Sequence, residues 1–120
     1  AKPDAGEMIV SPSEETKSFP HDAYANDEDL AKGIFNFEEV VSYSVKRITS
    51  SWAGLRTFAP DRTLVIGFDS VVPSFFWLAG QGGYGFQTSA AASKMASEII
   101  LGEKSSFGQL QKRVSPNRFK

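Results

Sequence analysis

Two stretches of this sequence carry residue types and spacings suited to chemistry. One centres on Arg56, which stands in a run otherwise apolar or small: Trp52, Ala53, Gly54 and Leu55 before it, Thr57 and Phe58 after it. A guanidinium there either snorkels to solvent along its stem or points into a pocket and grips a carboxylate through its planar fork. The other is glycine-rich: Phe75, Phe76, Trp77 and Leu78 form a continuous apolar run, and Gly80, Gly82, Gly83 and Gly85 follow at once. Those glycines free the backbone to take positive φ and to approach a ligand closely. From Gln87 the pattern turns helical, so a strand would pass through glycines into a helix N-terminus. Such an end offers unpaired N–H groups and a positive dipole to an anion or an electron-rich ring. A tight connection that binds nothing is the competing reading, because the spacing is neither GxGxxG nor a Walker loop. The only histidine, His21, lies beside Asp22 in a proline-bounded loop with no second ligand type nearby, so it reads as exposed or structural rather than catalytic or metal-binding. No Ser-His-Asp constellation with supporting context and no clustered metal ligands occur, which disfavours covalent or metal-assisted hydrolysis.

The elements expected to position these residues follow from pattern. Lys2 to Gly6 reads as a turn leading to a short strand, Glu7 to Val10, stopped by Ser11-Pro12. Ser13 to Asn26 is polar and broken by Pro20, hence a loop. Asn26 or Asp27 should cap a helix reaching about Tyr43, with Leu30, Ile34, Phe37, Val40 and Val41 on one face; Gly33 weakens it by about 1 kcal/mol relative to alanine. Val45 to Phe58 is rich in β-branched and aromatic residues and reads as an extended strand interrupted at Gly54. Pro60-Asp61-Arg62 is a turn, Leu64 to Phe68 a strand, and Asp69 to Ser74 a loop. Phe75 to Ala79 reads as a strand covered on both faces. The helix after the glycines places Ala91, Met95, Ile99 and Ile100 near helical spacing and stops at Gly102. A short helix around Phe107 to Gln111 and a frayed end complete the chain. The fold class is therefore α+β.

Composition narrows the function classes. The 120 residues carry a net charge of −1 and no cysteine, which suits one domain or part of one and excludes a disulfide, a thiolate metal site or a cysteine nucleophile. Near-neutral charge argues against a nucleic-acid binder. Eight of the fourteen acids fall in the first 29 residues, and the tail after Gly102 is basic, as solvated faces usually are. No apolar run approaches the roughly 20 residues that span a bilayer, and no signal-peptide pattern opens the chain, so a cytoplasmic location is expected.

Ser51-Trp-Ala-Gly-Leu-Arg-Thr-Phe58, Pro60-Asp61-Arg62, Val65-Ile-Gly67 and Phe75-Phe-Trp-Leu-Ala-Gly-Gln-Gly-Gly-Tyr-Gly-Phe-Gln-Thr88 together resemble the C-terminal part of FAD-dependent D-amino acid oxidases and dehydrogenases. Within that superfamily the likeness is nearest to D-arginine dehydrogenase-like enzymes. It is strongest over Ser50 to Gly102, with Lys2 to Gly6, Ser11-Pro12 and Pro20 to Ala23 extending it. The resemblance implies that Arg56 binds the substrate α-carboxylate and that Gly83 lies close to substrate and cofactor. It implies that Gly54, Leu55, Gln81, Gly82, Gly83, Tyr84, Gly85, Phe86, Gln87 and Thr88 line the flavin, with the helix N-terminus facing its pyrimidine edge. It assigns residues 1–68 to a substrate-binding α+β domain with antiparallel strands, and 69–120 to the C-terminal strand-turn-helix of an FAD-binding domain. No residue here is expected to act as catalytic acid or base.

Members of that family open with a βαβ unit whose GxGxxG turn holds the FAD pyrophosphate. These residues contain no such turn, and the chain begins Ala-Lys-Pro-Asp, so it is expected to be the C-terminal third of a longer enzyme. In isolation it should be inactive and prone to self-association. Two alternatives stay open: a flavin-free binding module of the same architecture, or a flavin enzyme acting on a secondary amine or a 2-hydroxy acid, either of which Arg56 would serve equally.

Overall fold

The computed structural model describes residues 1–120 and divides them into two compact units, 1–55 and 56–120. The first unit opens with a hairpin of β1 (Lys2–Asp4) and β2 (Glu7–Ile9), paired antiparallel with Pro3 opposite Met8. Ala5 and Gly6 join them with φ of 45° and 83°, the double positive-φ turn whose twist matches that of a two-residue hairpin. Sequence pattern found β2 and the turn but not β1.

Helix α1 (Asp27–Glu38) begins where expected. The Asn26 side chain accepts from the Asp29 backbone N–H at 2.8 Å and donates to the Asp29 carboxylate at 2.6 Å, and three acids occupy the first turn, favourable at the positive dipole end. It ends at Glu38, not near Tyr43. Glu38 and Glu39 oppose the negative end of the dipole, no basic residue relieves them, and the Glu38 carboxylate instead accepts from the Val45 N–H at 2.7 Å. Phe37 is buried as the pattern required, but Val40 is 78% exposed. Gly33 has a packing reason: a Cβ there would meet Pro12 at 3.3 Å. The expected strand over Val45–Phe58 does not form, and the segment is irregular. β-branched and aromatic composition favours extended backbone, but a strand also needs a ladder partner, and none pairs with it.

The second unit is built around β3 (Val65–Phe68) and β4 (Phe76–Ala79), antiparallel with Ile66 opposite Leu78. Ile66 is 1% exposed and packs with Ala92, Met95, Ala96 and Val114 from α2 (Gly85–Ile100) and α3 (Gln109–Val114). Helix α2 starts two residues before Gln87, and its inward face is Ala92, Met95 and Ala96, while Ala91 and Ile100 face out. Its stop at Gly102 is a Schellman closure: Glu103 N–H donates to Glu98 C=O at 2.8 Å and Gly102 N–H to Ile99 C=O at 3.3 Å, with Gly102 at φ 68°. Strand β4 is not covered on both faces; Trp77 is 38% and Leu78 49% exposed. The apolar run signals burial, yet a two-stranded sheet offers cover on one side only. The chain end is ordered rather than frayed. Ser115 caps a 3-10 turn (Pro116–Phe119), and a Cβ on Gly67 of β3 would lie 3.1 Å from Pro116 Cδ.

Candidate functional site

The glycine segment after β4 and the stretch carrying Arg56 come together in the second unit. Gln81 to Tyr84 forms a tight turn closed by Tyr84 N–H donating to Gln81 C=O at 2.9 Å, and Gly82 N–H reaches across to Thr57 C=O at 2.9 Å. Of the four glycines, only Gly80 and Gly82 take positive φ; Gly83 and Gly85 do not. What Gly82 and Gly83 need is room. A Cβ on Gly82 would strike the Phe58 ring at 2.6 Å, and one on Gly83 would lie 2.9 Å from Arg56 Nη1. The guanidinium therefore rests against the bare backbone of Gly83. Its Cζ also lies 5.4 Å from the Phe58 ring centroid, and Arg62 Cζ lies 5.0 Å from the same centroid. Phe58 is thus the aromatic platform that orients Arg56, a role that its place in an apolar run did not reveal.

The N-terminus of α2 opens next to this turn. Its N-cap, Tyr84, provides no side-chain hydrogen bond, and no acid sits in the first turn. Tyr84 is 46% and Phe86 97% exposed. A helix of 16 residues with an exposed, uncapped end keeps its first N–H groups and its positive dipole available to an electron-rich group. The Thr88 hydroxyl donates to Tyr84 C=O at 2.8 Å, which leaves its oxygen lone pairs, and Gln87 is exposed. Gly85 is held by packing, since a Cβ would meet Gln81 Cβ at 3.3 Å. Gly54 and Leu55 belong to the first unit, where Gly54 has open space around it and Leu55 is 49% exposed.

A separate open pocket of about 320 Å³ is lined by Thr57, Phe58, Trp77, Ala79, Pro116 and Phe119 among others, but by neither Arg56 nor Gly83. It shares Phe58 with the arginine site and no charge-binding cation, so it does not displace that site as the place for chemistry. Asp69 borders it: the Trp77 indole N–H donates to its carboxylate at 2.9 Å and the Val71 and Val72 N–H groups at 2.7 and 2.9 Å, which together hold its carboxyl below the usual carboxylate range. His21 is exposed, with Nδ1 2.7 Å from Phe19 C=O.

The uncapped helix end suits an electron-rich group, and the cation beside a bare glycine suits a carboxylate. The same residues fall within a family match: the sequence profile of the family described as FAD dependent oxidoreductase matches residues 1–99.

Proposed function

The chain belongs to the FAD-dependent oxidoreductase family, and on that premise we propose that it serves the oxidation of the Cα–N bond of an amino acid, a D-amino acid or a glycine-like substrate. The observation that carries the proposal is Arg56 lying against Gly83 beside the open N-terminus of α2. FAD supplies the two-electron acceptor chemistry when bound. Arg56 holds the substrate carboxylate through its fork, and Phe58 restricts the guanidinium so that little freedom is lost on binding. Gly83 leaves the space in which that guanidinium sits. The α2 N-terminus supplies fixed N–H dipoles where negative charge develops during the reaction. Gln81 to Thr88 would contact the ring. Water then converts the resulting imine to a 2-oxo acid and ammonia.

In this reading residues 1–68 contribute to the substrate domain and 69–120 to the FAD-binding domain, with the pyrophosphate gripped by a part of the enzyme outside these residues. Within the family, the resemblance of Ser51 to Phe58 and Phe75 to Thr88 is to D-arginine dehydrogenase-like enzymes. The test is Arg56→Ala in the complete flavin-loaded enzyme to which these residues are read as belonging, assayed with an amino acid and with the amine that lacks its carboxylate. The expected result is a fall of about 100-fold in kcat/KM for the amino acid alone, the scale of a lost charge-assisted contact. An equal effect on both substrates would remove the carboxylate role.

A further inference from the structure

The C-terminal Arg118 lies 62 residues from Arg56 in sequence, and its guanidinium reaches the turn that follows Arg56. Its side chain is only 12% exposed. Nε donates to Asp61 Oδ2 at 2.7 Å and Nη2 to Asp61 Oδ1 at 2.9 Å, a bidentate pair. Nη2 also donates to Thr63 C=O at 2.8 Å and Nη1 to Ser115 C=O at 3.0 Å. The guanidinium stacks on Phe119, with Cζ 4.1 Å from the ring centroid. A fork this fully engaged fixes the position of both ends it joins.

What it fixes bears on the site. The 59–62 turn is closed by Arg62 N–H donating to Ala59 C=O at 2.8 Å, so Asp61 lies within one hydrogen-bonded bend and Phe58 directly before it. Phe58 in turn carries the Arg56 guanidinium and fills the space over Gly82. On the other side, Pro116 packs on Gly67 of β3, so the 3-10 turn bearing Arg118 is anchored to the core strand. A line of contacts thus runs from β3 through Pro116 and Arg118 to Asp61, and the backbone of the 59–62 turn continues it to Phe58 and Arg56.

We propose that Arg118, through Asp61, is a positioning residue for the Arg56 carboxylate site. The inference rests on the reading of Arg56 given above, and it assigns a specific task to the C-terminal turn: setting where the carboxylate-binding fork sits. Breaking the latch frees the 59–62 turn, lets Phe58 shift and moves the guanidinium away from Gly83. Lysine cannot replace arginine here, because a point ammonium cannot bond Asp61 twice and two carbonyls at once.

The test uses the complete flavin-loaded enzyme to which these residues are read as belonging, with acetate as the carboxylate probe, read by the perturbation of flavin absorbance, alongside steady-state kinetics and urea midpoints. Arg118→Lys, Arg118→Ala and Asp61→Asn should each raise the acetate dissociation constant and the amino-acid KM about 10-fold, with kcat within about 2-fold and flavin content unchanged, as misplacement of a positioning group requires. Native acetate affinity and KM in folded Arg118→Ala and Asp61→Asn would overturn the proposal, even if their urea midpoints fell. Should Arg118→Ala fail to fold, Asp61→Asn decides, since it leaves the bonds to both carbonyls intact. Arg56→Ala is the control: unchanged acetate affinity there removes the Arg56 reading itself, whereas lost affinity there with native affinity in the latch variants removes only the positioning role.

Discussion

Gly82 and Gly83 are adjacent and both lack a side chain, yet they are glycine for different reasons. Gly82 sits at φ 53° with the Phe58 ring where a Cβ would be, so Gly82→Ala combines a left-handed backbone with overlap against a ring held by two guanidiniums. It should lose about 2 kcal/mol or more, read as a lower urea midpoint. Gly83 takes no positive φ, and its Cβ would meet only the far end of the Arg56 side chain. Gly83→Ala should therefore stay within about 0.5 kcal/mol of native stability while displacing the guanidinium and weakening carboxylate binding. Equal stability losses in the two variants would contradict this division. Asp61 adds a pH dependence. Bonding to Arg118, first of all, holds its carboxyl at about 2, below the ordinary 3.8. A depressed folded value means that the ionised form is favoured by folding. The contribution is whole above pH 4 and fades as pH falls toward 2. Acid titration followed by tryptophan emission should show a shallower loss in Asp61→Asn than in the native chain over that window; superimposable curves would dismiss the coupling.

At the scale of elements, the parts of the fold legible in sequence were those set by local rules. The Asn26 cap and the Gly102 stop rest on residues within one or two turns of each other, and strands β3 and β4 each on a short apolar run bounded by turn residues. The largest element that failed, a strand over Val45–Phe58, needed a partner that local composition cannot supply. The site divided the same way. Arg56 and the glycine turn stood out by residue type, but the Phe58 platform and the Arg118–Asp61 latch join positions distant in sequence, and Arg118 had been legible only as part of a basic tail. The Gly102 stop permits a clean measurement, because a Cβ there meets nothing within 4 Å. Gly102→Ala should cost about 1 kcal/mol through backbone conformation alone, and Gly102→Asn less, since asparagine tolerates the left-handed region better. A thermal melt in which alanine matches glycine would show that the α2 terminus frays without the Schellman closure.

For the molecule as a whole, the balance of surface is unusual. The chain exposes 9357 Å², whereas a compact protein of 13.1 kDa exposes about 6,400 Å² and two separate compact units of half that mass about 7,700 Å² together. The excess therefore does not depend on how the two units are arranged. Six hydrophobic residues are buried and 22 large ones are exposed, with Phe68, Phe75, Trp77 and Leu78 gathered on β3, β4 and the residue before β4. Strand β4 has β3 as its only partner, so its outer edge also presents unpaired backbone groups. An apolar strand with an unpaired edge is a ready surface for association. From this follows one experiment with two readouts: sedimentation equilibrium of the 120-residue chain, prepared with FAD present and monitored in both the protein and the flavin absorbance bands. The expected outcome is a weight-average mass above 13.1 kDa that rises with concentration, and far less than one flavin per chain. Leu78→Lys, which places a charge on the exposed strand, should lower the association without altering the hairpin register. A strictly monomeric species carrying stoichiometric FAD would mean that these residues hold the cofactor unaided, and that the exposed face of β4 serves another purpose.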